Sequence, residues 1–289
     1  MSAPLVHSVA DVVQRVRGAV ESGEKPVLWP IGPGELGRVE FGPGRVVLLG
    51  GAPGSGKTAL ALQATVDVLR TQTAVRALVA NVEMGAEALV NRALARLSGI
   101  SLDRIRRRAL DPGDETRFAD GVATLETLED RLGFMLGPFT LDRLADAADA
   151  MAANLLVVDY VQRFKGTGDA REARQNVAEV MDSIRAFATA GAGVLALAAL
   201  ARTRGSGGST YEVSDPLAAF RDSSELEYGA DEAFILERAS PETGEVATLR
   251  HGKCRDGELR DVQLRFHGAC QAFESVLPAS AMPADGAAP

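Results

Sequence analysis

The stretch of this 289-residue chain best equipped for chemistry is GAPGSGKT, which fills every fixed position of the pattern G-x-x-x-x-G-K-[ST]. Gly51, Ala52, Pro53, Gly54, Ser55 and Gly56 form a glycine-rich loop whose backbone N–H groups can curl inward around phosphate oxygens. The N-terminus of a following helix adds partial positive charge. Lys57 supplies a cation for the β- and γ-phosphates of a nucleoside triphosphate, ATP being the expected one, and the Thr58 hydroxyl supplies a ligand for Mg2+.

Two carboxylates stand at the ends of apolar runs further on. NLLVVDY carries Asp159 at the C-terminal end of a buried strand, where ligands of open α/β sheets gather. A carboxylate there can hold a metal's water shell. ALVANVEMG carries Glu83 at a similar strand end. Glu83 either orients and deprotonates an attacking water or is simply an acid at a helix start, which the helix dipole favours. Spacing alone does not separate these two roles.

A third group lies near the end of the chain, in RHGKCRDGE. Lys253 and Arg255 are two residues apart, just before Asp256-Gly257, a pair that favours a tight hairpin turn. Side chains two apart on a strand share a face, so the two cations project together. By themselves they read as a solvated hairpin tip.

The elements that must hold these groups follow from hydrophobic patterning. Val9, Val13, Val16 and Val20 recur at helical spacing and predict one amphipathic helix ending near Gly23. EKPVLWPIGPGELG, rich in Pro and Gly, reads as a linker or extended lead-in. From about residue 44, RVVLLG, RALVAN, LLVVD, VLALAAL and EAFILE are strand candidates alternating with helical stretches. The first such helix, after the glycine-rich loop, shows Leu62, Val66 and Leu69 on one face. This pattern predicts an α/β fold with a mostly parallel central sheet and helices on both faces. EVATLRHGK and LRDVQLRF add antiparallel hairpins at the end of the sheet. The expected division is a lead-in over 1–43, an ATPase domain over 44–276 and a disordered tail over 277–289.

Composition narrows the function classes. The chain is 46% hydrophobic and 24% charged, ordinary for a soluble fold with a sizeable core. A net charge of −8 excludes a generally basic nucleic-acid coat, so any nucleic-acid contact must be local. Cys254 and Cys270 suggest no disulfide framework, and no signal peptide or membrane span is read, so a cytoplasmic setting without membrane partners is expected.

Together the motifs resemble, in order, the C-terminal motor domain of DnaB-type replicative helicases, a RecA-like hexameric ATPase family. The likeness runs from about residue 8 to 274. GGAPGSGKTALALQ is similar to the family's P-loop segment, and NVEMGAEALVNRALARLSGIS to its Leu-Glu-Met motif and helix. RIRRRALDPGDETRF resembles the basic turn that comes next, and LLVVDYVQRF the Asp-Tyr-Leu-Gln strand end. FRDSSELEYGADEAFILER resembles the family's Arg-Glu-Ser to Ala-Asp segment, and GKCRDGE its Lys-x-Arg hairpin. The resemblance implies a RecA-like P-loop NTPase, with Glu83 as catalytic glutamate and Asp159 at the metal. It also implies that Lys253 and Arg255 reach a neighbouring subunit's γ-phosphate, with Arg255 as arginine finger. A homo-oligomer, a ring of six, around single-stranded DNA follows from the same likeness. The valine-striped helix would dock on an adjacent subunit, or else pack on its own domain.

Two departures qualify that reading. The family's N-terminal collar domain has no counterpart here, so a primase partnership is not expected. The strand VLALAALAR carries Ala199 where the family has a γ-phosphate-sensing glutamine, and a methyl group cannot hydrogen-bond a phosphate. Gln162 follows Asp159 but is not a substitute. The expected DNA-facing cations lie on the loops after these strands and beyond: Lys165, Arg171, Arg174, Arg202, Arg204 and Arg221. Without an aromatic ladder, binding there would be backbone-directed and salt-sensitive, unless these are merely solvated loops. An ATP-binding loader or regulator that unwinds nothing is the rival to the motor, and a recombination-type ATPase is a third option.

Overall fold

A computed structural model describes residues 6, 8–39, 41–166, 173–200, 203–205, 208–210, 220, 224–238 and 245–276, and every structural statement below concerns these. The expected tail, 277–289, lies outside them, as do Arg171, Arg202 and Arg221.

Six apolar segments form the parallel part of one sheet: β1 (Val46–Gly51), β2 (Ala77–Asn81), β3 (Leu132–Phe134), β4 (Leu155–Asp159), β5 (Gly193–Ala199) and β8 (Glu232–Arg238). Every residue of β1, β2 and β4 is buried, which is what a strand covered on both faces requires. Three antiparallel strands, β9 (Val246–Cys254), β10 (Val262–His267) and β11 (Ala272–Ser275), extend the sheet beyond β8. The order across the nine strands is β11-β10-β9-β8-β1-β5-β4-β2-β3. β1 pairs in parallel with β5 on one side and β8 on the other.

Successive residues of β1 divide between two cores, as the two-residue period of a strand demands. Val47 and Leu49 join one core with Leu60, Val66 and Leu69 of α2 (Lys57–Thr71). Val46 and Leu48 join the other, with Leu141 and Leu144 of α6 (Leu141–Met151) and Val180 and Ile184 of α7 (Ala173–Thr189). Helices therefore cover both faces, as the sequence pattern predicts. A smaller cluster around Leu94, Ile100 and Ile105 ties together α3 (Ala86–Ser98), α4 (Leu102–Arg107) and α5 (Asp114–Glu126).

Three details depart from the sequence expectation. α2 is buried well beyond the face that carries Leu62, Val66 and Leu69: residues 59 to 69 are all buried, because the sheet, α3 and β11 surround it. Its Gln63 makes this tolerable by exchanging two hydrogen bonds with the Phe273 backbone, at 2.7 and 2.8 Å. The Asp256-Gly257 pair does not close a two-residue turn, since seven residues, 255 to 261, separate β9 from β10. Asp256 instead pairs with Arg45 at 3.4 Å. Finally, the segment after β5 includes a short hairpin, β6 (Thr203–Gly205) with β7 (Gly208–Thr210), where only a loop is expected.

At the start of the described chain, α1 (Val9–Ser22) is capped by the Ser8 hydroxyl at one end and by Gly23, at φ 69°, at the other. None of its residues is buried: Val9, Val13, Val16 and Val20 are 80, 53, 58 and 75% exposed. The alternative in which this stripe packs on its own domain is therefore not what the chain adopts. No helix among the described residues is long and apolar enough to cross a membrane.

Candidate nucleotide site

The glycine-rich loop leaves β1 at Gly51 and enters α2 at Lys57, so it sits at the C-terminal rim of the parallel sheet. Two of its glycines, Gly51 and Gly56, are required by space. A Cβ on Gly51 would lie 2.6 Å from the Ser55 hydroxyl and 2.9 Å from the Leu236 carbonyl. Gly56 adopts φ +100° with its α-carbon pressed toward Phe273, whose ring a Cβ would meet at 2.8 Å. Phe273 is stacked on Phe266 at 4.4 Å, and Arg238 lies over Phe266 at 4.8 Å while donating to the Gly54 carbonyl at 3.3 Å. The antiparallel strands thus brace the loop from below, a role their sequence does not announce.

Lys57 Nζ donates to the Gly51 and Ala52 carbonyls at 2.6 and 3.0 Å. Burial lowers its pKa, and the charges of Asp159 and Glu83 oppose that shift. Across the loop, one oxygen of Asp159 accepts from the Thr58 hydroxyl at 2.6 Å and from the Asn81 amide at 2.5 Å. Burial raises the Asp159 pKa, against the hydrogen bond from Thr58 and the charge of Lys57, and Glu83 adds to the rise. The Asp159–Tyr160 peptide is cis.

Asn81 is the residue that sequence reasoning missed. It ends β2 beside Asp159, and while its amide nitrogen holds Asp159, its oxygen accepts the backbone N–H groups of Glu83 and Met84 at 2.9 and 2.7 Å. One buried amide therefore fixes the Glu83 turn relative to Asp159. Glu83 itself is exposed, with its charge felt by Lys57, Asp159 and Arg163. An asparagine two residues before an acid, at a strand end, is the signal that could have found it.

The donor set fits a nucleoside triphosphate with Mg2+. The Ser55 hydroxyl is buried with no hydrogen-bond partner, a Cβ at Gly51 or Gly56 would meet its neighbours, and a hydroxyl and a carboxylate stand together at Thr58 and Asp159. Mg2+ bound there would neutralise phosphate charge.

Lys253 and Arg255 lie at the opposite rim. Cys254 pairs with Glu232, where β8 begins, whereas Gly51 pairs with Leu236 further along β8. Arg255 is ion-paired with Asp231 at 2.7 Å, and Asp231 also accepts the Val46 N–H at 2.8 Å, at the start of β1. The five residue steps of β1 from Val46 to Gly51 span about 17 Å at about 3.3 Å per residue. The two cations cannot share the loop of their own chain. Lys253 Nζ donates to the Glu227 carbonyl at 2.6 Å, and burial lowers its pKa, as does neighbouring Arg255.

Of the expected DNA-facing residues, Lys165 is exposed just beyond the C-terminal end of β4, on the same rim as the glycine-rich loop. The backbones of Arg174 and Arg204 belong to α7 and β6. Ala199 is exposed at the end of β5, and Gln162 is bound to it in both directions, Nε2 to its carbonyl at 3.0 Å and its N–H to Oε1 at 3.2 Å.

Comparison with known proteins bears on the fold and the family. An ATPase domain of known structure superposes with a TM-score of 0.82 at 19% identity, covering 94% of this chain and all of that one. A DnaB-like replicative helicase, whose structure was described with its interactions with primase, gives 0.80 at 19%, covering 93% and 67%. These likenesses establish a RecA-like fold. The replicative DNA helicases DnaB of Pasteurella multocida and Geobacillus stearothermophilus are each 27% identical, over 249 and 253 residues. Those alignments cover 81 and 82% of this chain but 52 and 54% of the relatives, so the chain spans about half their length. A probable plasmid replicative DNA helicase of Chlamydia trachomatis is 25% identical over 81% of the chain and 51% of its own length. The model of the DnaB-like helicase C terminal domain matches residues 39–275, and the chain belongs to that family.

Proposed function

We propose that this chain is an ATP-hydrolysing motor of the DnaB type, assembled head to tail so that each nucleotide lies between two subunits, with single-stranded DNA as its track. Lys57 and Thr58 hold the triphosphate and Mg2+, Asp159 supports the metal, and Glu83, aimed by Asn81, takes the proton of the attacking water. Lys253 and Arg255 complete the site of the next subunit by placing positive charge where the transferred phosphoryl group develops negative charge. The single observation that carries this reading is the separation of about 17 Å along β1 between the Arg255 rim and the glycine-rich loop. A cation so placed serves a nucleotide only if that nucleotide belongs to a second copy. Six subunits in a ring, the lead-in over 1–43 reaching a neighbour through α1, and a DNA path past Lys165 and the β6–β7 hairpin complete the proposal.

The direct test mixes two inactive variants, Lys57→Ala and Arg255→Ala. Mixed assemblies contain some sites with an intact loop facing an intact finger, so ATP turnover should reappear on mixing. Turnover that stays at the level of the separate variants removes shared sites.

One observation favours a second reading, in which ATP drives assembly without strand separation. Ala199 presents only a methyl group at the end of β5, and the Gln162 amide is committed to the Ala199 backbone. Neither can report phosphate to the loops. Strand displacement measured beside ATP turnover separates the two: DNA-stimulated turnover without displacement supports the second reading.

A further inference from the structure

Among the described residues, one cluster of potential metal-binding side chains lies outside the nucleotide site. It owes its existence to a β-bulge. Along β9 and β8, Cys254 pairs with Glu232, Lys253 with Ala233 and His251 with Phe234, so Gly252 is an extra residue without a partner. In a regular strand His251 and Lys253 would share a face. The bulge puts them on opposite faces and brings His251 and Cys254 together beside Glu232, while Lys253 turns to the Glu227 carbonyl.

We propose that Glu232, His251 and Cys254 bind one zinc-class divalent metal ion, anchoring the end of β9 from which Lys253 and Arg255 project. Their ligand atoms all lie within 4.8 Å of one another. His251 Nε2 is 3.6 Å from one Glu232 oxygen, and Cys254 Sγ is 3.6 Å from the other. Bonds of about 2.0 to 2.3 Å in a tetrahedral site place ligand atoms about 3.3 to 3.8 Å apart, the range of each spacing, and turning the Glu232 carboxylate would present one oxygen to both donors. The His251–Glu232 spacing is too long for a good hydrogen bond, whereas the Cys254 thiol donates to Glu232 at a length ordinary for sulfur and gives up that bond when it is deprotonated.

A second observation points to a missing ligand. The His251 side chain is 6% exposed and Glu232 3%, and the buried His251 Nε2 makes no hydrogen bond: its N–H faces the Glu232 carboxylate at 3.6 Å without reaching it, and Nε2 becomes a ligand only once the ring proton moves to Nδ1. Glu232, His251 and Cys254 all line a cavity of about 190 Å3, which leaves room for a water as fourth ligand. The arginines at the cavity rim do not oppose a cation, because each is neutralised locally, Arg38 by Glu35 at 3.1 Å and Arg260 by Glu258 at 3.2 Å. The mixed nitrogen, oxygen and sulfur donors favour zinc-like ions over Mg2+ or Ca2+, which take oxygen ligands.

Binding requires two proton movements. The Cys254 thiol gives its proton to solvent as the sulfur–metal bond forms. His251 Nδ1 now accepts the Arg260 N–H at 3.0 Å, which puts the ring proton on Nε2. With the metal on Nε2 that proton moves to Nδ1, so the hydrogen bond from the Arg260 backbone N–H is given up and the segment 255–261 between β9 and β10 shifts to let that N–H reach water. The site is independent of the nucleotide reading.

The test uses the full chain, freed of metal with a chelator and titrated with Co2+ as a spectroscopic probe. We expect one equivalent per chain, a thiolate-to-cobalt charge-transfer band and the visible bands of four-coordinate cobalt, all abolished by added Zn2+. Cys254→Ser should eliminate the charge-transfer band, and His251→Gln should weaken binding by more than about tenfold, since even groups that only orient metal ligands matter that much. Cys270→Ser should change nothing. Zn2+ should also protect Cys254 from alkylation in the unsubstituted chain, a readout that needs no variant to fold. Absence of the charge-transfer band, its persistence in Cys254→Ser, its loss in Cys270→Ser, or unprotected alkylation overturns the proposal.

Discussion

Arg255 and Asp231 are joined twice within one chain, guanidinium to carboxylate at 2.7 Å and backbone N–H to backbone carbonyl at 3.0 Å. Asp231 is buried and also holds Arg185 at 2.5 Å and the Val46 N–H at 2.8 Å. The finger of the proposed composite site is therefore anchored to the start of β1 by the chain that carries it. Removing its guanidinium leaves Asp231 with two other partners.

Arg255→Ala should accordingly lower ATP turnover by about a thousandfold or more. Nucleotide affinity should stay nearly unchanged, and folding stability should fall by no more than about 1 kcal/mol. Arg255→Lys should not rescue turnover, because an ammonium lacks the planar fork that matches phosphate. Steady-state hydrolysis beside equilibrium binding of a fluorescent ATP analogue checks this. A weakened affinity equal to the loss in turnover would make Arg255 a structural residue only.

Asn81→Ala strips the buried site of one donor and one acceptor at once, leaving the Asp159 carboxylate with fewer partners and the Glu83 and Met84 N–H groups with none from that side chain. A cost of about 2 to 3 kcal/mol in urea unfolding is expected, with turnover reduced and nucleotide still bound. Unchanged stability would show that water replaces the amide fully.

Val13→Glu with Val16→Glu changes two exposed positions on α1. Stability of the isolated chain should move by less than about 0.5 kcal/mol. Assembly, followed by sedimentation with ATP and Mg2+, should weaken if the stripe covers a neighbour. Normal assembly by the double variant would remove α1 from the interface.

Asp114 supplies a pH-dependent prediction. Burial alone would raise its pKa, but the Asp111 backbone N–H and the guanidiniums of Arg117 and Arg104 outweigh it and leave the pKa below its ordinary value of 3.8. A depressed carboxylate adds stability above its unfolded pKa and loses it as pH falls through the folded one. Asp114→Asn should thus be less stable than the parent at pH 7, and the difference should shrink steadily as pH falls below the ordinary value of 3.8, as read from unfolding midpoints across the acid range. A constant difference at all pH values would assign the effect to packing.

Much of this was legible beforehand because it is local. The glycine-rich loop, the strand ending in Asp159 and the strand ending near Glu83 are contiguous stretches whose period and terminal residues fix their place. The β9–β8 bulge was not legible, since it depends on a partner strand some twenty residues away. The same is true of Phe273 beneath Gly56 and of Gln63 against the Phe273 backbone, both contacts across more than two hundred residues. α2 misled for a related reason: a helix enclosed on all sides still shows one tidy apolar stripe when its small and polar neighbours are buried too.

The opposed rims of the sheet make this molecule polar in the sense that an arrow is. A contact that seats the Arg255 rim of one copy on the Gly51 rim of another consumes unlike surfaces, so each copy still offers one of each. Such a contact propagates in a single direction, and the small rotation at each step decides whether the series bites its own tail or winds on as a helix. A two-fold pair, which matches like with like, would leave every finger pointing at nothing it could serve.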